Sequence, residues 1–533
     1  MRWHLRSITC TAVLMTWLAA SSALQAAVVT WNGADANWGT SSNWTWDSGS
    51  GLPGSTDDVV FYGGSATTFA TTLGADFAIH SLSFGAVANN VSIGAAGAET
   101  LTLGSGGINV SAGSTATQHT ISADLLLDAH QTWTNNSAAS LLQVTGNVIA
   151  SGDSYNLTIA GAGNTAISGG ISLDTGSLIK DGAGTLTLSG SNSFSGGTHI
   201  NDGTVRVGSS GALGSNGLYL TSTTAVLDLN AYSVSVNGVW GNSVDQSQAG
   251  TILNNGLTAA VLTIGSGNGD SRFYGNITDG TGVLGLRVTG SGITSLYGVN
   301  TFTGGLAIVG GGTVRTDSNA ALGANGGNIT FSDAADGGNL EVATANLGGR
   351  YNVDGIGTIS VASGLVSSFT GNLTGSGTLI KSGDGDLVVL TDTDNFSGDL
   401  VLGYGALNAG AAMANFRLLA TAHTAQPTGT LHNVDSITIN PGSLLQMDYS
   451  RAGAISDVNF VNDTADIILA GGMLQYNGRS GAASTEVLGD LYVAQGVSLV
   501  TSSNTAGSVS TSFANLTRSE ERRVGKECRS RWS

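Results

Sequence analysis

The chain has 533 residues, 81 of them glycine and 3 proline, and 41% are hydrophobic, 6% aromatic and 10% charged. That apolar fraction, with a positive mean hydropathy, excludes a disordered chain. The formal net charge of −18 excludes a surface that attracts nucleic acid or anionic lipid.

Met1 to Ala27 reads as a secretory signal. Arg2 and Arg6 give the positive start, Ile8 to Ala20 the apolar stretch, and Ser21, Ser22, Ala23, Ala26 and Ala27 the small residues of a cleavage site. The apolar run is too short for a resident membrane helix. From Thr30 to Trp46 the chain reads "TWNGADANWGTSSNWTW" and holds Trp31, Trp38, Trp44 and Trp46. The first layer of a stacked β-structure exposes an apolar end and open strand edges, so residues 28–80 are expected to form a cap with the first strands. The alternative is a sugar-stacking platform.

Between Ser81 and Ile171, "SLSFG", "LTLGSGGINV", "LLQVTGNVIASG" and "NLTIAG" alternate strand and turn. Leu82 and Phe84 point one way, Ser81 and Ser83 the other. The same rhythm governs Leu178 to Gly214, "LIKDGAGTLTLSGSNSFSGGTHINDGTVRVGSSGALG". There Leu186 and Leu188 oppose Thr185 and Thr187, and Val205 and Val207 oppose Thr204 and Arg206. Asp181-Gly182, Gly196-Gly197 and Asn201-Asp202-Gly203 cut the strands short. A strand pair of this kind buries its apolar face only by stacking on another copy.

Copies are present. In Leu286 to Gly323, Asn300, Phe302, Gly304 and Gly305 match Asn192, Phe194, Gly196 and Gly197, and Gly312 to Arg315 matches Gly203 to Arg206. A third copy, near 379–410, keeps Phe396 and Gly398 but has Asp399 for the second glycine. These units resemble the autotransporter-associated β-strand repeat, also called the passenger-associated transport repeat. Its pattern runs from a Lys-x-Gly-x-Gly-Thr-Leu start through Asn-x-Phe/Tyr-x-Gly-Gly-Thr to an Ala-Leu-Gly end. The second copy departs from it at Arg287-Val288-Thr289, and the third lacks the end. The resemblance implies an exported bacterial surface protein on a right-handed parallel β-helix (a pectin-lyase-like β-solenoid), with no catalytic residues to carry over.

No Pro-rich or charged linker breaks the chain, so residues 81–517 are expected to be one solenoid of ~20 rungs and ~100 Å. A string of β-sandwiches is the rival fold, since Phe194, Phe302 and Phe396 recur at sandwich-like spacing. One helix is expected, from Ala409 to His423, where Met413, Phe416 and Leu419 are helically spaced. Arg518 to Ser533, "RSEERRVGKECRSRWS", resembles a translated sequencing adapter and is expected to be a non-native tail, so the natural protein would continue past Thr517 to an anchor or barrel. Without residues 1–27 and this tail, ten basic residues face thirty-three acidic ones, a net charge of −23. Cys10 and Cys528 fall in the excluded ends, so an exported segment would use no disulfide.

Few residues of the chain carry a chemical signature. Lys180, Arg206 and Arg315 recur at repeat positions and are expected on solvated outer faces. His199 also reads as outward, with no second His or Cys at metal-ligand spacing. Asp384, Asp386, Asp392 and Asp394 form an acidic cluster that turns of neighbouring strands could bring around Ca²⁺, although the spacing matches no established calcium loop. Asp57-Asp58 reads as a turn pair. The expected protein is therefore not an enzyme and needs no cofactor. It would be secreted or surface-exposed, with a structural, adhesive or matrix role toward a surface, matrix or polysaccharide partner. The alternative is a polysaccharide-binding or polysaccharide-degrading β-helix.

Overall fold

The computed structural model describes residues 26–518, apart from 65, 151, 153, 242–248, 325–326, 392, 394, 404–413, 420–428, 450–458, 480, 482, 495 and 505–506. The chain is all-β, with parallel coils stacked into a β-solenoid of about 18 turns. At one strand spacing per turn, that stack is about 85 Å long. The solenoid, and not a string of sandwiches, follows from the pairing. Leu178, Thr198, Leu218 and Val239 are successive register partners in one sheet, each from the next coil. Leu186, Val205, Leu227 and Ile252 do the same on the neighbouring face.

Alternation decides which side chains enter the core. In Thr185–Leu188 the leucines are buried and the threonines half-buried; Ser436–Ile439 and Asp466–Leu469 repeat this pattern far down the chain. Parallel register then places each inward residue between two others, giving apolar columns such as Val59, Leu82 and Ile108.

At the first coil the pattern changes. Val28–Trp31 pairs parallel with Asp58–Phe61 and antiparallel with Trp44–Trp46. Trp31, Trp38 and Trp44 are buried there, with edge-to-face contacts at centroid distances of 4.8 and 5.1 Å. Such pairs contribute about 0.5–1.5 kcal/mol beyond the area they bury. The Trp38 indole N–H donates to Thr71 Oγ1, and that of Trp44 to the Trp38 carbonyl.

One expectation about the elements needs correction. The segment 409–423 is not a helix where it is described: Ala414–Leu419 is a strand between Asp386–Val389 and Ser443–Asp448. Ser443–Asp448 offers it a full row of backbone partners and Asp386–Val389 pairs with Phe416, Arg417 and Leu418, and that outweighs a helical spacing of three apolar residues. Phe416 and Leu418 are buried, at the period of a strand. Met413 and 420–423 lie outside the described residues. Arg518, the first residue of the expected non-native tail, pairs with Val493 in the last described strand. The rest of it, and nearly all of the expected signal, lie outside the described residues.

Candidate functional site

The repeat signature is used for stacking. Asn192 Oδ1 accepts from the Ile171 N–H in the coil before, and its Nδ2 donates to the Ala212 carbonyl in the coil after. Asn300 repeats both bonds, to Ile277 and Ala321. Phe194 and Phe302 are buried beneath the Ala-Leu-Gly ends. A Cβ on Gly214 would stand 2.7 Å from the Phe194 ring, and one on Gly323 3.0 Å from that of Phe302, and both glycines have positive φ.

Lys180 is a correction to the expected outer face. It is buried, in an inward column between Ile159 and Ile200. Its stem fills a core position while Nζ turns to the corner, donating to the carbonyls of Asp181 (3.0 Å), Gly182 and Asp202 (3.3 Å). Lys381 repeats the device, donating to Ser382 and Gly383 at 2.6 and 2.9 Å. Burial pushes both amines down to about 8, partly opposed by the carboxylates of Asp202 and Asp181 for one and of Asp386 and Asp384 for the other. The two described members of the acidic cluster, Asp384 and Asp386, thus stand near a buried lysine. Asp392 and Asp394 lie outside the described residues. Among the described residues no group of three or more His, Cys, Asp or Glu is placed to hold a metal ion.

Arg206 and Arg315 do face outward. Each meets its register partner in the next coil, Asp228 at 3.0 Å and Glu341 at 2.6 Å. The Asp228 carboxylate is buried and also accepts from the N–H groups of Asn230 and Asn255. A shallow cleft of about 340 Å³ opens among Phe302, Thr303, Asn328, Gly349 and Arg350, and none of its lining residues is a carboxylate. Paired carboxylates for glycoside hydrolysis are therefore missing from it.

What sequence reading missed is an aromatic ladder on the outer surface. His199, Tyr219 and Trp240 are consecutive register partners. Their rings are half-buried and stack at 4.3 and 4.9 Å, tilted by only 6° and 15°. Each follows a glycine by two positions, Gly197, Gly217 and Gly238, and Trp240 lies close over the last two. The next strand brings exposed Arg272 beside Trp240, and two residues on, Tyr274 stacks on Tyr297 at 4.6 Å. The ladder follows from strand spacing: aromatic residues in register are held about 4.8 Å apart, which is a stacking distance. Both faces of Tyr219 are covered, so it meets solvent by its edge. Gly-x-aromatic repeated at coil-length intervals was the available signal.

Residues 178–207 and 286–315 match the passenger-associated-transport-repeat family. This chain carries autotransporter passenger repeats. The third copy lies outside the matched residues. The chain is also 30% identical over 173 residues to the adhesin BmaC autotransporter of Brucella suis biovar 1 (strain 1330). That match covers 32% of this chain and 5% of the relative's length, so the chain spans a small part of that protein. No solved structure matches the chain.

Proposed function

We propose that this autotransporter passenger-type solenoid is displayed at the bacterial surface as an adhesive rod, and that it makes contact through the outer face bearing His199, Tyr219 and Trp240. The observation that carries the reading is the division of labour between faces. Repeat residues are used in joining coils, whereas the ladder is repeated on the outside, where solenoid stability alone does not require aromatic rings. Aromatic edges with a cation nearby are a common composition for a contact surface. The adhesin match supports the surface role. The same ladder favours polysaccharide as the partner class, with stacking limited to the end rings. Calcium at the Asp384–Asp394 segment stays a separate proposal, decided by titration calorimetry.

Beads coated with the full chain and washed over immobilised polysaccharides or host-cell matrix test the reading. Retention above that of albumin-coated beads is expected, and Tyr219→Ala/Trp240→Ala should lower it severalfold. Retention equal to albumin on every surface would sink the adhesive role.

A further inference from the structure

A second outward cluster lies near the start of the solenoid. Strands Asp58–Phe61, Phe77–Phe84 and Thr100–Val110 are adjacent and parallel. They bring Asp58, His80 and Ser105 together on the outer surface. His80 Nδ1 is 2.8 Å from Asp58 Oδ1, which also accepts the Ser81 hydroxyl at 2.5 Å. Ser105 Oγ is 3.4 Å from His80 Nε2. With Nδ1–H donated to the carboxylate, the Nε2 lone pair faces the Ser105 hydroxyl. A distance of 3.4 Å is long for a hydrogen bond, and such contacts are commonly long before substrate binds.

The local backbone is shaped for this meeting. Register passes from Ile79↔Leu103 to Ser81↔Gly107, so Gly104, Ser105 and Gly106 together stand opposite His80. A bulge of this kind re-aims a side chain. Side chains on its flanks would block it: a Cβ on Gly106 would lie 2.5 Å from Ser81 Cβ and 3.0 Å from His80 Cε1. Ser105 is left exposed between two glycines.

Another Ser–His pair in the chain shows what a purely structural contact looks like. Ser114 Oγ and His119 Nε2 are 2.9 Å apart, but both residues are buried. His119 Nδ1 accepts the Val91 N–H, so its Nε2 carries the hydrogen and cannot take one from Ser114. Burial also pushes that imidazole down to about 4. The surface cluster has a carboxylate partner at Nδ1, which favours the opposite tautomer, and access to solvent.

The geometry points to Ser105, His80 and Asp58 as a serine esterase centre for short acyl esters presented on a surface-borne chain. Ser105 Oγ attacks the ester carbonyl carbon while His80 Nε2 takes its proton. The ester C–O bond breaks, and His80 returns the proton to the leaving alcohol, leaving an acyl group on Ser105. Water then attacks that carbonyl, giving its proton to His80; the acyl–Oγ bond breaks and the proton returns to Oγ, releasing the free acid. Asp58 is the positioning residue that sets the imidazole tautomer. Exposure selects the substrate class: an open sheet face has no wall for a long acyl chain, and a solvated site stabilises an oxyanion too weakly for an unactivated amide. This activity departs from the expectation of a protein without chemistry and is independent of the adhesive reading.

A fluorophosphonate probe and p-nitrophenyl acetate test it on the full folded chain. One phosphonyl adduct is expected, mapped by peptide mass to Ser105. It should vanish in Ser105→Ala and His80→Ala, and its rate should fall about tenfold or more in Asp58→Asn. p-Nitrophenyl acetate turnover should drop to buffer background in Ser105→Ala. No adduct on Ser105 of the folded wild type, or an adduct formed as fast in His80→Ala, would overturn the assignment. Were a variant to lose its β circular dichroism, the adduct site on the wild type decides alone.

Discussion

The two ends of the described solenoid use the same kind of residue with opposite results. At the first coil Trp31, Trp38 and Trp44 are buried, closed in by an antiparallel strand. At the last, Leu516 is 66% exposed although its register partner Leu491 is only 8% exposed. Both leucines sit at inward positions of parallel strands. The difference is the number of described neighbours: an interior coil has a described coil on each side of its apolar face, whereas Leu516 lies in the last described strand and has one. Burial in a solenoid is therefore a property of the neighbouring coil more than of the residue, and stability is a sum of coil-to-coil interfaces.

Substitutions graded by coverage can break or sharpen this comparison. The largest effect is expected for Trp38→Ala, which removes a fully buried ring from the closed end. It should cost about 3–5 kcal/mol, read as loss of hydrogen-exchange protection in residues 28–84 with later coils unchanged. Equal loss along the whole rod would show a single cooperative unit instead. The interior lysines come next. Their amines titrate near 8 when folded and near 10.5 when unfolded, so the unfolded chain binds more protons between those values. Stability should therefore rise with pH from about 8 to about 10.5, and Lys180→Met/Lys381→Met should flatten the rise, as measured by urea midpoints across that range. An unchanged slope would mean that the ammonium groups stay solvated.

A smaller effect is expected on the outer ladder, where Tyr219→Ala breaks two stacks and should cost about 1–2 kcal/mol in chemical denaturation. A cost near zero would make the ladder a contact surface without structural value, sharpening the adhesive reading. The smallest belongs to the last described strand: Leu516→Ala should change stability by less than about 0.5 kcal/mol. A loss comparable to Trp38→Ala would contradict the neighbour-counting explanation.

Much of the fold can be read directly from the chain. Strands such as Thr185–Leu188 show their buried face by alternation, because a strand's side chains leave it on two sides. The glycines of the repeats mark corners, because little else accepts their dihedrals or the approach of Phe194 and Phe302. The candidate site was much less legible. Its members are ordinary residues in sequence, and Lys180 reads as an outward cation because nothing local shows that Asp181, Gly182 and Asp202 will turn their carbonyls toward it.

By itself, then, the sequence determined period, corners, repeat identity and a negative net charge, since these depend on each residue and its nearest chain neighbours. Only the tertiary structure decided which residues meet across coils. Parallel register joins His199 to Tyr219 and Trp240, and a bulge beside His80 moves Ser105 to it. It also turns Ala414–Leu419 from a helical pattern into a strand. Coil lengths vary along the chain, so a lateral neighbour has no constant offset in sequence. It is set by hydrogen bonds between coils, which exist only once the stack has formed.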